Sequence, residues 1–137
     1  MKSFLTAALI ALAGPALAGA ASALEPINTE PHINRTLLQG FIADAIDDNC
    51  DTLSARKLRA LSELMSLRSY ALDKGYGRDE VKDFVSSNVE KARRKAEAAA
   101  WLKAKGAEPG KREAYCAIGA EEIAKGSLIG QLLRVGE

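Results

Sequence analysis

The stretch Arg112-Glu113-Ala114-Tyr115-Cys116-Ala117-Ile118-Gly119 holds one of only two cysteines in the 137-residue chain; the other is Cys50. Two cysteines allow a single intramolecular pairing, which would close a loop of about 66 residues around everything between them. Whether such a pair oxidises depends on the compartment, and the first residues of the chain bear on that.

Lys2 supplies a positive n-region and Phe4 to Leu12 an apolar h-region, which Gly14-Pro15 then breaks. Ala21-Ser22-Ala23 follows as a small-x-small cleavage pattern, and Ala16-Leu17-Ala18 and Ala18-Gly19-Ala20 fit it too. The apolar run falls short of the ~20 residues a membrane span needs. The expectation is a cleavable signal peptide over residues 1–23, export to the periplasm, and no stable membrane insertion after cleavage. In an oxidising compartment Cys50 and Cys116 are expected as a disulfide rather than a reactive thiol or metal pair. Two free buried thiols are the rival reading. Closing the loop would stabilise the fold by about 4 kcal/mol.

The mature chain then starts near Leu24 and runs for about 114 residues, the size of one domain. The whole chain carries 19 bases and 18 acids, so loss of Lys2 leaves a neutral product. Neutrality argues against nucleic-acid binding, which leaves a clear basic excess.

Pro26 and Pro31 make residues 24–33 an extended, turn-rich arm, with the lone His32 at its end. The helical domain follows over residues 34–137. Helix one is predicted from Asn34, as N-cap, to about Cys50, with Leu37, Leu38, Phe41, Ile42, Ala45 and Ile46 on one stripe. Helix two is predicted from a cap at Asp51, Thr52 or Ser54 to Lys74-Gly75. Leu58, Leu61, Met65 and Leu72 are its expected buried seam, widened by Leu64 and Tyr70. Gly77 with Glu80 opens helix three, whose stripe Val81, Phe84, Val85, Val89, Ala92, Ala96 and Ala99 carries it to Leu102 or Lys105. Helix four begins after Pro109-Gly110 and stops at Lys125-Gly126, and Ser127 caps a last short helix from Leu128 to Arg134. No strand is expected. Gly119 costs ~1 kcal/mol inside a helix against alanine, and its expected return is room for a neighbouring backbone.

The fold class is thus all-α: a small four-helix bundle plus a short C-terminal helix, closed by Cys50–Cys116. In an up-down-up-down bundle, helices one and three end at the same pole. Helix three outruns helix two by ~10 Å, and Cys116 lies ~9 Å back from the start of helix four. The two offsets cancel, bringing Cys116 level with Cys50.

Catalytic groups are sparse. There is one histidine, and no serine elbow, zinc pair or Gly-rich phosphate loop is recognisable. Asp44, Asp47, Asp48 and Asp51 lack the alternating spacing and glycine turn of a calcium loop, so a solvated acidic helix end is expected. Lys91-Ala92-Arg93-Arg94-Lys95 reads as the solvated face of a long helix, with docking to an acidic partner as the alternative. No enzyme activity, cofactor or metal is expected. The apolar C-terminal residues Leu128, Ile129, Gln131, Leu132 and Leu133 are the candidate contact with a protein partner if left uncovered. The competing reading has them folding back to close the core.

Several segments also carry a family likeness. Glu25-Pro26-Ile27, Pro31-His32-Ile33-Asn34, Asn49-Cys50, Ser54-Ala55-Arg56, Tyr115-Cys116 with Gly119, Glu121 to Gly126, and Gly130-Gln131-Leu132-Leu133 are the matching residues. Together they resemble a domain-of-unknown-function family of short exported proteins from alphaproteobacteria of the Rhodobacter group. The resemblance implies a periplasmic location and a cysteine pair, and no activity. Names borrowed from respiratory NADH dehydrogenase subunits occur in it, but two cysteines cannot hold an iron–sulfur cluster. The expected function is that of a non-enzymatic binding or accessory protein with an unidentified protein partner. The alternative is an acid- or stress-responsive periplasmic chaperone, and a respiratory accessory factor is the weaker third.

Overall fold

The computed structural model describes residues 23–136 together with Gly14, so all but two residues of the expected signal peptide lie outside it. Six α-helices and a small ribbon follow in chain order: α1 Pro31–Asn49, β1 Leu53–Ala55, α2 Lys57–Lys74, α3 Arg78–Ser86, α4 Asn88–Ala104, α5 Arg112–Lys125, α6 Leu128–Gln131 and β2 Leu133–Val135. A single 3-10 turn, Ile27–Thr29, precedes them. The all-α class holds, and Cys50 and Cys116 form the expected disulfide with Cα atoms 5.2 Å apart.

The central element is α1. Its residues Ile42, Ala43 and Ile46 pack against Leu102 of α4, Tyr115 and Ile118 of α5, and Ile129 and Leu132 near the C-terminus, forming the main core. A second, smaller core joins Ile27 and Ile33 to Leu67 and Ala71 of α2, Tyr76, and Val81 and Phe84 of α3. The Lys-Gly stops are confirmed at Gly75 and Gly126, both in the left-handed region.

Several boundaries differ from expectation. The N-terminal arm is not extended throughout, because α1 begins at Pro31, which suits a first helical turn that has no use for its N–H. Glu30, not Asn34, is the cap: its carboxylate accepts the Ile33 N–H at 2.6 Å. The Asn34 amide instead donates to the carbonyls of Glu30 at 2.6 Å and Ile27 at 3.0 Å, clamping the 3-10 turn to the helix.

A short strand replaces the predicted start of helix two. β1 and β2 pair antiparallel, with Leu53 opposite Val135 and Ala55 opposite Leu133. The Arg56 N–H donating to the Leu132 carbonyl at 2.7 Å, and the Gly136 N–H donating to the Thr52 carbonyl at 2.8 Å, extend the pairing beyond both ends.

The predicted third helix is two helices. Ser87 is extended, and its hydroxyl accepts the Glu90 N–H at 3.2 Å, so a new N-terminus starts in mid-stripe. No continuous helix therefore runs from Arg78 to Ala104 to set the level of Cys116, although the cysteines do meet.

Gly119 does provide room, but for side chains rather than backbone. A Cβ there would run into Leu53 and lie 3.0 Å from Ile46 Cγ2. Backbone crowding occurs at Gly130, where a Cβ would strike the Glu122 carbonyl and come within 2.6 Å of the Ile123 nitrogen. This contact seats α6 directly on α5.

Candidate binding groove

Most of the seam predicted for α2, all but Leu72 and Tyr70, faces solvent. Leu58 is 85% exposed and Met65 63%, and Leu61 and Leu64 are also exposed. The helix is held instead by Leu67 and Ala71, both buried, with Tyr70 and Leu72 half-buried beside them. Leu67 and Ala71 form a second apolar line beside Leu58, Leu61 and Met65, with the exposed Leu64 at the border, so α2 carries two apolar stripes. Only one is covered.

Beside the uncovered stripe lies a groove of about 450 Å³ between α1, α2 and α3. Its floor is the smaller core, with Ile27, Ile33, Leu67, Val81 and Phe84, and its lips are Leu64, Met65 and the exposed Val85. A second groove of about 220 Å³ runs between α1 and α2 past Phe41, Leu128 and Leu132. Leu37 and Leu64 line both, so the two grooves adjoin along one edge of α2. Arg68, Arg78 and Lys82 stand around the larger groove against one acid, Asp79. None of the three cations forms an ion pair among the described residues, whereas Arg59 is bound to Glu63 at 2.6 Å and Lys74 to Glu30 at 2.7 Å. Apolar walls with a few charged groups at the rim are the usual make-up of a ligand-binding surface.

The residues singled out from the sequence fall elsewhere. Of the expected C-terminal contact, Ile129, Leu132 and Leu133 are buried and Leu128 is half-buried. The segment folds back because α6 seats Gly130 on α5 and β2 pairs with β1. Gln131 is exposed, but it is engaged with the Gly126 carbonyl at 2.9 Å and with Arg59, also at 2.9 Å. His32 is exposed and meets the Tyr70 ring edge-on at 4.4 Å. Trp101 is half-buried against the main core, with the Lys105 ammonium 4.8 Å from its ring centroid.

The acidic helix end is largely solvated, as expected: Asp44, Asp48 and Asp51 are exposed and Asp47 is half-buried. Burial, then Asp48 and Asp47, push the Asp44 carboxyl up. Asp51 is paired with Arg112, which holds its carboxyl down. No group of histidine, cysteine or carboxylate side chains among the described residues is arranged to hold a metal ion.

The basic run on α4 is a free face only in part: Lys91 and Lys95 are exposed, but Arg93 and Arg94 are engaged. Arg93 binds Glu90 at 2.6 Å and Glu97 at 2.9 Å, and it donates to the Asn28 carbonyl and the Asn34 side chain. Arg94 is 3% exposed. One of its nitrogens reaches Glu97 at 2.9 Å, while Nε and Nη2 have no partner. Burial, then the adjacent Arg93, push its pKa down.

One buried polar cluster escaped the sequence reading. The Glu30 carboxylate, 2% exposed, accepts from the Ile33 N–H, the Tyr70 hydroxyl at 2.8 Å and the Lys74 ammonium at 2.7 Å. The cluster joins the start of α1 to the end of α2.

A family match spans residues 25–134, most of the described chain and both grooves. The chain belongs to the family of unknown function DUF5333. No curated protein and no solved structure matches it. The DUF5333 match takes in Glu25-Pro26-Ile27, which leads into the groove floor, and the C-terminal segment that closes the core. No helix among the described residues is long and apolar enough to cross a membrane.

Proposed function

We propose that this DUF5333 member is a non-enzymatic binding or accessory protein of the periplasm that engages a protein partner along α2. The observation that carries this reading is the uncovered stripe Leu58, Leu61, Leu64 and Met65, continuous with an apolar groove. Contiguous exposed apolar surface of this kind marks interaction sites in proteins that otherwise bury such residues. The signal-peptide pattern of residues 1–23 supports export, and the disulfide is compatible with an oxidising compartment. An acid-opened chaperone would have to uncover apolar surface on acidification. Here the stripe is already uncovered, which favours direct binding at neutral pH.

A photo-crosslinking residue placed at Leu61, with a control at the exposed Ala117 on α5, tests the contact in cells. One discrete protein adduct from position 61 and none from position 117 is the expected result. Equal patterns from the two positions would refute it. Release of the protein by osmotic shock tests the compartment.

A further inference from the structure

Resting on that binding reading, we infer that the occupant of the groove is an acidic amphipathic helix contributed by a partner protein.

The shape of the uncovered surface argues for a helix. It has a concave part, the channel floored by Leu67 and Phe84, and a convex part, the ridge of Leu58, Leu61 and Met65. A small amphiphile in the channel would leave the ridge in water. A helix is about 10 Å wide with its side chains, and one laid alongside α2 reaches both. From Leu58 to Ala71 the surface runs for ~20 Å, matching a partner helix of about 14 residues. Anchors spaced i, i+3, i+4 and i+7 would enter the channel as helix-in-groove ligands do.

Charge selects the partner's sign. Arg68, Arg78 and Lys82 flank the larger groove without acidic partners among the described residues, and Asp79 is the only acid lining it, while the acids Asp44 and Glu63 line the second groove at the other end. Carboxylates along the edges of the incoming helix would pair with these cations and steer its approach. The same arrangement disfavours a second copy of this chain. A two-fold contact through α2 would bring Arg68 and its neighbours toward their own equivalents, and of the two acids on α2, Glu63 and Asp73, the first is already bound to Arg59.

The test uses the oxidised protein and labelled synthetic helices of about 15 residues with leucines at that spacing. One peptide carries glutamates on its flanks and the other lysines, and binding is read by anisotropy. The glutamate peptide is expected to bind at least about tenfold more tightly, and added salt should weaken it. Met65→Asp should remove binding. Arg68→Glu combined with Lys82→Glu should reverse the preference between peptides. All three residues are exposed, and an unchanged thermal melt verifies the fold of each variant.

Equal affinity for the two peptides, or no reversal in the charge variant, overturns the inference. Saturable binding of decanoate without peptide binding would make the occupant a small amphiphile. A dimer in sedimentation that Met65→Asp abolishes would make it a second copy. Either result removes the acidic helix and leaves the groove as a binding site. Failure of peptides, decanoate and self-association, together with no adduct from position 61, removes the binding reading as well.

Discussion

The ammonium of Lys74, in the last turn of α2, lies 2.7 Å from the Glu30 carboxylate that caps α1. Burial alone would raise the Glu30 carboxyl. Hydrogen bonds from the Ile33 N–H, Lys74 and Tyr70 outweigh it and bring the pKa from 4.5 to about 2. The native state therefore holds this proton less tightly than the unfolded chain does. Stability from the cluster is complete above pH 4.5 and is lost as pH falls toward about 2. Denaturant titrations across that window are expected to show declining stability in the parent and a flatter profile in Glu30→Gln. Asp44 works in the opposite direction, because its carboxyl is raised. Asp44→Asn should therefore stabilise at neutral pH, and a loss of stability there would contradict the burial and repulsion assigned to it.

Arg94 presents two unpartnered nitrogens to the interior. An incompletely satisfied buried ion is weak support for a fold, and Glu97 keeps a second partner in Arg93. Arg94→Met is expected to leave stability unchanged or raise it by about 1 kcal/mol in urea unfolding. A loss of about 3 kcal/mol, the usual result of breaking a fully paired buried ion, would show that Arg94 is satisfied after all.

Three glycines inside helices should respond differently to alanine. Gly40 faces open space, so Gly40→Ala should gain about 1 kcal/mol of helix propensity. Gly119→Ala gains the same propensity but forces Leu53 and Ile46 aside, for a net loss of about 1 kcal/mol or more. Gly130→Ala meets the backbone of α5, which cannot rotate away, and should be the most damaging. Thermal melts of the three variants check the order.

Replacing both cysteines, with Cys50→Ser and Cys116→Ser, frees the loop between them. The expected loss is about 4 kcal/mol of unfolding free energy, mostly through a less constrained unfolded chain. The grooves along α2 are built without either cysteine, so peptide binding should survive in conditions where the variant is folded. Little change in stability would mean that neighbouring elements already fix these ends.

Helical periodicity made α1 and α5 legible, the Lys74-Gly75 stop marked the C-terminal end of α2, and compartment reasoning made the disulfide legible. Periodicity reports that an apolar stripe exists, not that something covers it. Hence Leu58, Leu61 and Met65 were read as core while Leu67 was passed over. The break at Ser87 was hidden because Phe84, Val85 and Val89 keep one rhythm across it. Ser87 with Glu90 three residues on is nevertheless a start signal in its own right. β1 and β2, at three residues each, are too short to show any period. The Glu30 cluster draws on residues about 40 positions apart in sequence, a distance no local pattern spans.

The pairing of β1 with β2 also governs when the chain can fold. It joins segments about eighty residues apart, and its second strand ends at Val135. Leu132 and Leu133 belong to the same core as Ile42 and Ile46 of α1. That core cannot close until the chain has been made through Leu133, so the elements before it stay open until then.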